Sequence, residues 1–179
     1  MEFSNEFLAT LTQFEGSTNY MYLDTTGNVT VGVGHLIDSP AHAAALPLRG
    51  PDTFHDWCRV KRALRGQLAA YYKRCSSSRL SPRGIAIILE SDLDAVSLQL
   101  TARLPCFPAL PLPVQHALCD MAFNLGTAKL IEDYPKMIAC VEAGDWNGAA
   151  AQCHRNGIAQ ERNDWCASMF SSDTNPHQL

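Results

Sequence analysis

The chain has 179 residues, of which 46% are hydrophobic and 18% charged, with 14 basic and 18 acidic side chains for a net charge of -4. That length suffices for one domain of ordinary size or two small lobes sharing a long element, and no uninterrupted apolar run reaches the roughly 18 residues a membrane span requires. The acidic balance excludes a charge-driven grip on nucleic acid, leaving only local basic patches such as RVKRALRG.

Phe3, Phe7, Leu8, Leu11 and Phe14 recur at three- and four-residue steps, the period of a helix burying one face. Ser4 followed by Asn5 and Glu6 supplies its N-cap and first turn, and Gly16 its stop. The same start, MEFSNEFLATL, carries acids where a secretory leader carries Lys or Arg, so export by the general pathway is not expected from this chain. From Tyr20 to His35 the rhythm changes to two, and TTGN separates the runs YMYLD and VTVGVGH, which predicts a small hairpin or meander. Residues 38–52 hold Pro40, Pro47, Gly50 and Pro51 and read as a loop with at most a short helix. A helix is expected from Asp52 to about Cys75, with Arg59, Lys61, Arg62 and Arg65 on its wet side, and CSSSRLSP breaks it.

Ser81 and Pro82 form an N-cap and N1 pair opening the long pattern SPRGIAIILESDLDAVSLQLTARL, which Pro105 ends. After FPALPLP, a stripe of Val114, Ala117, Leu118, Met121 and Leu125 marks another helix, closed by Gly126. Shorter helices are expected at 134–143, 145–154 and 161–170, before a polar, frayed tail SSDTNPHQL. Helix outweighs strand and all strand lies near the N-terminus, so the class is α+β, mostly helical.

Seven cysteines, at 58, 75, 106, 119, 140, 153 and 166, are an odd number without a CxxC. Cys119, Cys140 and Cys166 fall in helix-like apolar patterns, which favours reduced core thiols over the rival of one or two disulfides. With neither paired Cys ligands nor HExxH, no metal site and no cofactor are expected. His42, His55, His116, His154 and His177 are scattered and read as surface or satisfied core rather than ligands.

The chemistry concentrates in residues 14–37, FEGSTNYMYLDTTGNVTVGVGHLI. Glu15 falls at the last turn of the first helix, where the negative end of the macrodipole favours its protonated form, and burial in a cleft would add to that. Asp24 and Thr30 are spaced equally about Gly27 and are expected to face each other across the turn. Alternation puts Thr30, Gly32 and Gly34 on one bare face and Val29, Val31 and Val33 on a core face. Glycines at alternate strand positions suit either a close-lying ligand or tolerance under a packed helix. An acid of raised pKa and a second ionised carboxylate are the minimum equipment for glycoside hydrolysis.

The pattern EG followed by Y-x-D-x-x-G-x-x-T-x-G-x-G-H, here Glu15, Gly16, Tyr22, Asp24, Gly27, Thr30, Gly32, Gly34 and His35, resembles the phage-type lysozymes, glycoside hydrolase family 24, which include tailed-phage endolysins. The resemblance continues through LSPRGIAIILESDLDAV, similar to an interlobe helix, and ALCDMAFNLG, similar to a central helix of the C-terminal lobe. It implies Glu15 as general acid, Asp24 as second catalytic carboxylate, Thr30 as holder of the attacking water and His35 as a structural histidine beside the site. It also implies Asn124 near the sugar and Arg162, in IAQERNDWCASMF, paired with the catalytic glutamate, which opposes the rise in pKa expected for Glu15. The implied fold is a single lysozyme-like domain over 1–179, with a small lobe at 15–80, a helical lobe from 1–14 and 81–179, and a long helix between them. Two departures stand out: residues 38–80 are longer than in compact members, and -4 is unusual for enzymes approaching an anionic wall.

The expected function is that of a muramidase, cleaving the β-1,4 bond between N-acetylmuramic acid and N-acetylglucosamine of bacterial peptidoglycan with inversion. The alternatives are a lytic transglycosylase and a catalytically silent peptidoglycan-binding domain; the intact Glu, Asp and Thr set argues against the last. A monomer is expected, with no membrane insertion and no nucleic-acid partner, made in the cytoplasm and acting on the wall in the periplasm or outside the producing cell. A phage lysis enzyme and a bacterial antibacterial effector, the second with a carrier or immunity protein, would use the same site. GVGH lacks the third glycine of a dinucleotide loop and no GxSxG elbow occurs, so nucleotide binding and serine hydrolysis are unsupported.

Overall fold

The computed structural model describes residues 3–171, and the expectation of a frayed tail lies almost wholly outside them. Ten α-helices and one three-stranded sheet are found among the described residues, which is the α+β, mostly helical class expected. The chain divides into two compact units, with the boundary between Asp92 and Leu93, inside the long helix α5 (Pro82–Arg103).

In the first unit, α1 (Asn5–Glu15) begins where Ser4 Oγ accepts from the Phe7 N–H at 3.2 Å and ends at Gly16, whose φ of 72° only glycine adopts freely. Its buried face is Phe7, Leu8 and Leu11. The antiparallel strands β1 (Thr18–Leu23), β2 (Val29–Gly32) and β3 (His35–Leu36) follow in chain order. Tyr22 stands opposite Thr30 and Leu23 opposite Val29, but Thr18 stands opposite Gly32, so β1 carries extra residues between these pairs. Met21, Leu23, Val29, Val31 and Ile37 form a core with Val60, Tyr72, Leu80 and Ile88.

The predicted run VTVGVGH is thus two strands and a turn. Gly32 and Gly34 have φ of 65° and 82°, so the backbone reverses through them. Both faces of β2 are covered: Thr30 and Gly32 are buried along with Val29 and Val31, and the bare face expected there is not found. These glycines are required by conformation, since a Cβ at Gly34 would meet nothing within 4 Å.

The loop 38–52 holds α2 (Pro40–Ala45), capped by Ser39. The single helix expected from Asp52 to Cys75 is instead α3 (Thr53–Lys61) and a short α4 (Ala69–Tyr72). Gly66, at φ 73°, turns the chain between them, and the buried Tyr72 donates its hydroxyl to the Leu64 carbonyl at 2.8 Å. Asp56 explains why CSSSRLSP is an ordered break. This fully buried carboxylate accepts from the Ser78 hydroxyl at 2.6 Å, the Ser78 N–H at 2.7 Å and the Ser77 N–H at 2.8 Å, and pairs with Arg59. Burial acts to raise its pKa, but the bonds from Ser78, Arg59 and Ser77 outweigh it and hold it below the ordinary 3.8.

The second unit centres on α6 (Leu112–Leu125), buried along most of its length, as a helix surrounded by others must be. It is followed by α7 (Thr127–Asp133), α8 (Pro135–Ala143), α9 (Trp146–Gln152) and α10 (Gln160–Ser171). No local pattern predicts α7, because Gly126, the stop of α6, also precedes a new helix at φ 87°. The carboxylate of Asp120, fully buried on α6, accepts from Arg155 at 2.6 Å and from Arg162 at 2.7 and 3.0 Å. All seven cysteines are free thiols, and burial pushes Cys119 up to about 12.

Two outcomes test these knots. Asp120→Asn removes a buried negative charge that two buried guanidinium groups bind and is expected to cost about 3–5 kcal/mol in urea unfolding. Asp56 has a depressed folded pKa, so its stabilisation is complete above 3.8 and is lost as pH falls through the lower folded value. Wild type should therefore lose stability relative to Asp56→Asn below that point and exceed it by about 2–3 kcal/mol at neutral pH.

Candidate active site

The site predicted from residues 14–37 lies in the first unit, on the end of α1 and the β1–β2 turn. Glu15 is the last residue of α1 and is exposed, so the burial that would reinforce the dipole at this position is not found in the chain itself. Asp24 follows β1 and organises the turn. Its Oδ1 accepts from the Thr26 N–H at 2.9 Å, the Thr26 hydroxyl at 2.8 Å and the Asn28 N–H at 2.8 Å. Among the described residues its Oδ2 receives only the Asn28 side-chain amide at 3.4 Å. Burial works to raise the pKa of Asp24, but the bonds from Asn28 and Thr26 prevail and hold it below 3.8, so the carboxylate is ionised at neutral pH.

The register corrects one expectation. Thr30 lies across from Tyr22, not from Asp24, because Asp24 has already left the ladder and turned its side chain onto the turn's own N–H groups. Thr30 is buried and donates its hydroxyl to the Asn28 carbonyl at 3.3 Å. Tyr22 joins the members of the motif electrostatically: its hydroxyl is pushed up first by burial, then by the charges of Asp24 and Glu15. Both carboxylates therefore act on one half-buried phenol. His35 stands opposite Val31, with Nδ1 2.9 and 3.0 Å from the two oxygens of Asp92 on α5. That partner makes His35 a brace between sheet and helix.

Sequence reasoning missed two residues that hold the turn in place. Lys61 at the end of α3 donates to the Gly27 carbonyl at 2.9 Å. The Arg65 side chain lies against Gly27, where an added Cβ would come within 3.0 Å of Nε, and Gly27 itself sits at φ 84°. Both had been placed on the wet side of a helix. No local signal marks them, because the contact spans 34 residues and is made by the fold.

Asn124 and Arg162 belong to the second unit. Asn124 is half-buried near the end of α6, and Arg162 is buried on α10 in its bond with Asp120. The chemical capacity of the first-unit residues is a carboxyl on a helix end, a locked carboxylate with one lightly used oxygen and a buried hydroxyl one residue pair away. That is a set for proton donation beside a fixed negative charge. No group of three or more His, Cys, Asp or Glu side chains is placed to hold a metal ion among the described residues, and no helix among them is long and apolar enough to cross a membrane.

A search of curated proteins returned no match. A family model described as phage lysozyme matches residues 12–163, from the last turn of α1 into α10 and through every motif residue named above. The chain therefore belongs to the phage lysozyme family, glycosidases of the lysozyme type whose substrate is peptidoglycan.

Proposed function

We propose that the protein is a muramidase, cleaving the β-1,4 bond between N-acetylmuramic acid and N-acetylglucosamine, with Glu15 as general acid, Asp24 as the second carboxylate and Thr30 as a holder of water. The observation that carries this reading is the uneven loading of Asp24: three short hydrogen bonds fix Oδ1, while Oδ2 has only a 3.4 Å contact. An ionised oxygen with spare accepting capacity, on a carboxylate that cannot swing away, is suited to a water or to the positive charge that grows at an anomeric carbon.

In this mechanism Glu15 gives its proton to the glycosidic oxygen as the bond to the anomeric carbon lengthens. Water on the opposite face, oriented by the Thr30 hydroxyl, adds to that carbon and inverts it while Asp24 takes the proton that the water loses. Tyr22, its proton retained first by burial and then by the charges of Asp24 and Glu15, supplies a neutral donor beside the sugar. Gly32 and Gly34 turn the strand, and His35 braces it through Asp92. Asn124 and Arg162 complete the proposal as supporting residues of the second unit, on the strength of the family motif.

Glu15→Gln is expected to lower release of soluble muropeptides from purified peptidoglycan by about 10³-fold or more with unchanged thermal unfolding, since a positioned general acid supplies roughly 10²–10⁴ in rate. Asp24→Asn and Thr30→Ala should lose less, about 10²-fold. Mass spectrometry of the wild-type digest should show reducing ends carrying one added water, and proton NMR during turnover should show the α-anomer first. Undiminished release by Glu15→Gln, or products lighter by one water, would overturn the hydrolytic assignment. Because the bonds from Asn28 and Thr26 hold Asp24 below the ordinary 3.8, the midpoint of its carboxyl carbon titration should fall below that value.

A further inference from the structure

Four side chains of the first unit outside the proposed catalytic set form one continuous line. Asp92 on α5 binds the Nδ1 of His35 on β3 at 2.9 and 3.0 Å. Nε2 of His35 lies 3.3 Å from Nε2 of His42 on α2, and Nδ1 of His42 lies 3.1 Å from Asp38. The two carboxylates can only accept, so each Nδ1 carries its hydrogen and each neutral ring presents its lone pair at Nε2. With both rings neutral, two lone pairs face each other across 3.3 Å, an arrangement that needs a cation between them.

The dimensions accommodate a metal ion. For two imidazoles on one tetrahedral zinc ion, a metal–nitrogen distance of about 2.05 Å and ring centres about 1.1 Å behind each nitrogen place the nitrogens about 3.3 Å apart and the ring centres about 5.2 Å apart. The observed separations are 3.3 Å and 5.2 Å, with the rings at 81°. A head-on N–H···N bond of the same length would put the ring centres about 5.5 Å apart.

The surroundings fit the same assignment. Each candidate ligand donates its other ring nitrogen to a carboxylate, the outer-shell arrangement that fixes the tautomer and raises the basicity of metal-binding histidines. The backbone of His42 is itself fixed, its N–H bonded to the Ser39 cap at 3.1 Å. With side chains 15% and 33% exposed, His35 and His42 are held by the fold yet open to solvent. Among the described residues two side chains offer ligands, water would fill the remaining positions, and imidazole nitrogens select borderline ions such as zinc, nickel and copper over magnesium or calcium.

We propose that His35 and His42 form a two-imidazole binding site for a divalent transition-metal ion, zinc foremost, which ties β3 to α2 and, through Asp92, to α5. The sequence gives no warning of it, since a spacing of seven residues across a turn matches no metal motif.

The test uses the full chain, stripped with chelator and kept reduced, titrated with zinc chloride by calorimetry and by nitrogen NMR of the histidine rings. One equivalent of zinc is expected to bind, to move the His35 and His42 ring signals together and to raise the thermal midpoint. His42→Gln should abolish the calorimetric signal and the rise, and Asp38→Asn should weaken binding about 10- to 100-fold. Cobalt in place of zinc should give visible bands without a thiolate charge-transfer band. The proposal is overturned if zinc leaves both ring signals unmoved, which would make the bridging cation a shared proton. Binding of equal strength in His42→Gln, or a thiolate band with cobalt, would overturn it equally by moving the metal to the cysteines.

Discussion

The arrangement of the candidate site depends on one carboxylate closing one turn. Asp24 accepts the N–H groups of Thr26 and Asn28 on a single oxygen, and its own backbone exchanges further bonds with Asn28 and Gly27, at 2.9 and 3.1 Å. These bonds fix where β1 ends and β2 begins, and so which residues pair. Register in a hairpin is set by its turn, and a slip of one residue would carry Thr30 to the other face of the sheet. The group proposed to serve the reaction is therefore also the group that determines where its neighbours stand. Its ionisation is part of the fold, because the bonds that hold the turn are bonds to the charged form.

The same device recurs in two other settings. Asp56 gathers the N–H groups of Ser77 and Ser78 and ties a loop to α3, while Asp120 collects two arginines on α6. In each case a short acidic side chain with many donors organises residues far away in sequence. The difference lies in what is left over. Asp56 has both oxygens crowded by serine donors and Asp120 is sealed from solvent, so neither has capacity for a ligand. Asp24 alone of the three keeps a lightly used oxygen at a half-exposed position. That contrast, more than the presence of acidic residues, separates a site from a structural knot.

What could be read in the sequence was what local rules govern. The Ser4 cap, the Gly16 stop and the Ser81–Pro82 start are fixed by the backbone needs of a helix end, and each appears where those needs place it. The order and spacing of Glu15, Asp24 and Thr30 were likewise legible, because they sit on consecutive local elements. What failed had its cause at a distance. The helix expected through residue 75 is broken by Gly66 and by a tyrosine hydroxyl from the next helix, and the bare face of β2 is covered by elements such as Leu80 that periodicity cannot see. Neither a close-lying ligand nor tolerance under a packed helix accounts for Gly32 and Gly34, because alternation in a strand says nothing about φ. The partners of His35 and of the turn, Asp92, His42, Lys61 and Arg65, come from other elements, where one-dimensional pattern carries no information about contact.

The packing of Arg65 against Gly27 has a consequence for how such a chain can change. A side chain at position 27 would meet a backbone conformation that resists it and an arginine already lying in its space, so the two positions are not free to drift separately. Replacing Arg65 removes one obstacle and leaves the other, so the turn stays restricted to glycine while residue 65 retains latitude. Variation among proteins of this architecture should then be lopsided: many solutions on the helix side of the contact and one on the turn side, where steric exclusion alone restricts the choice.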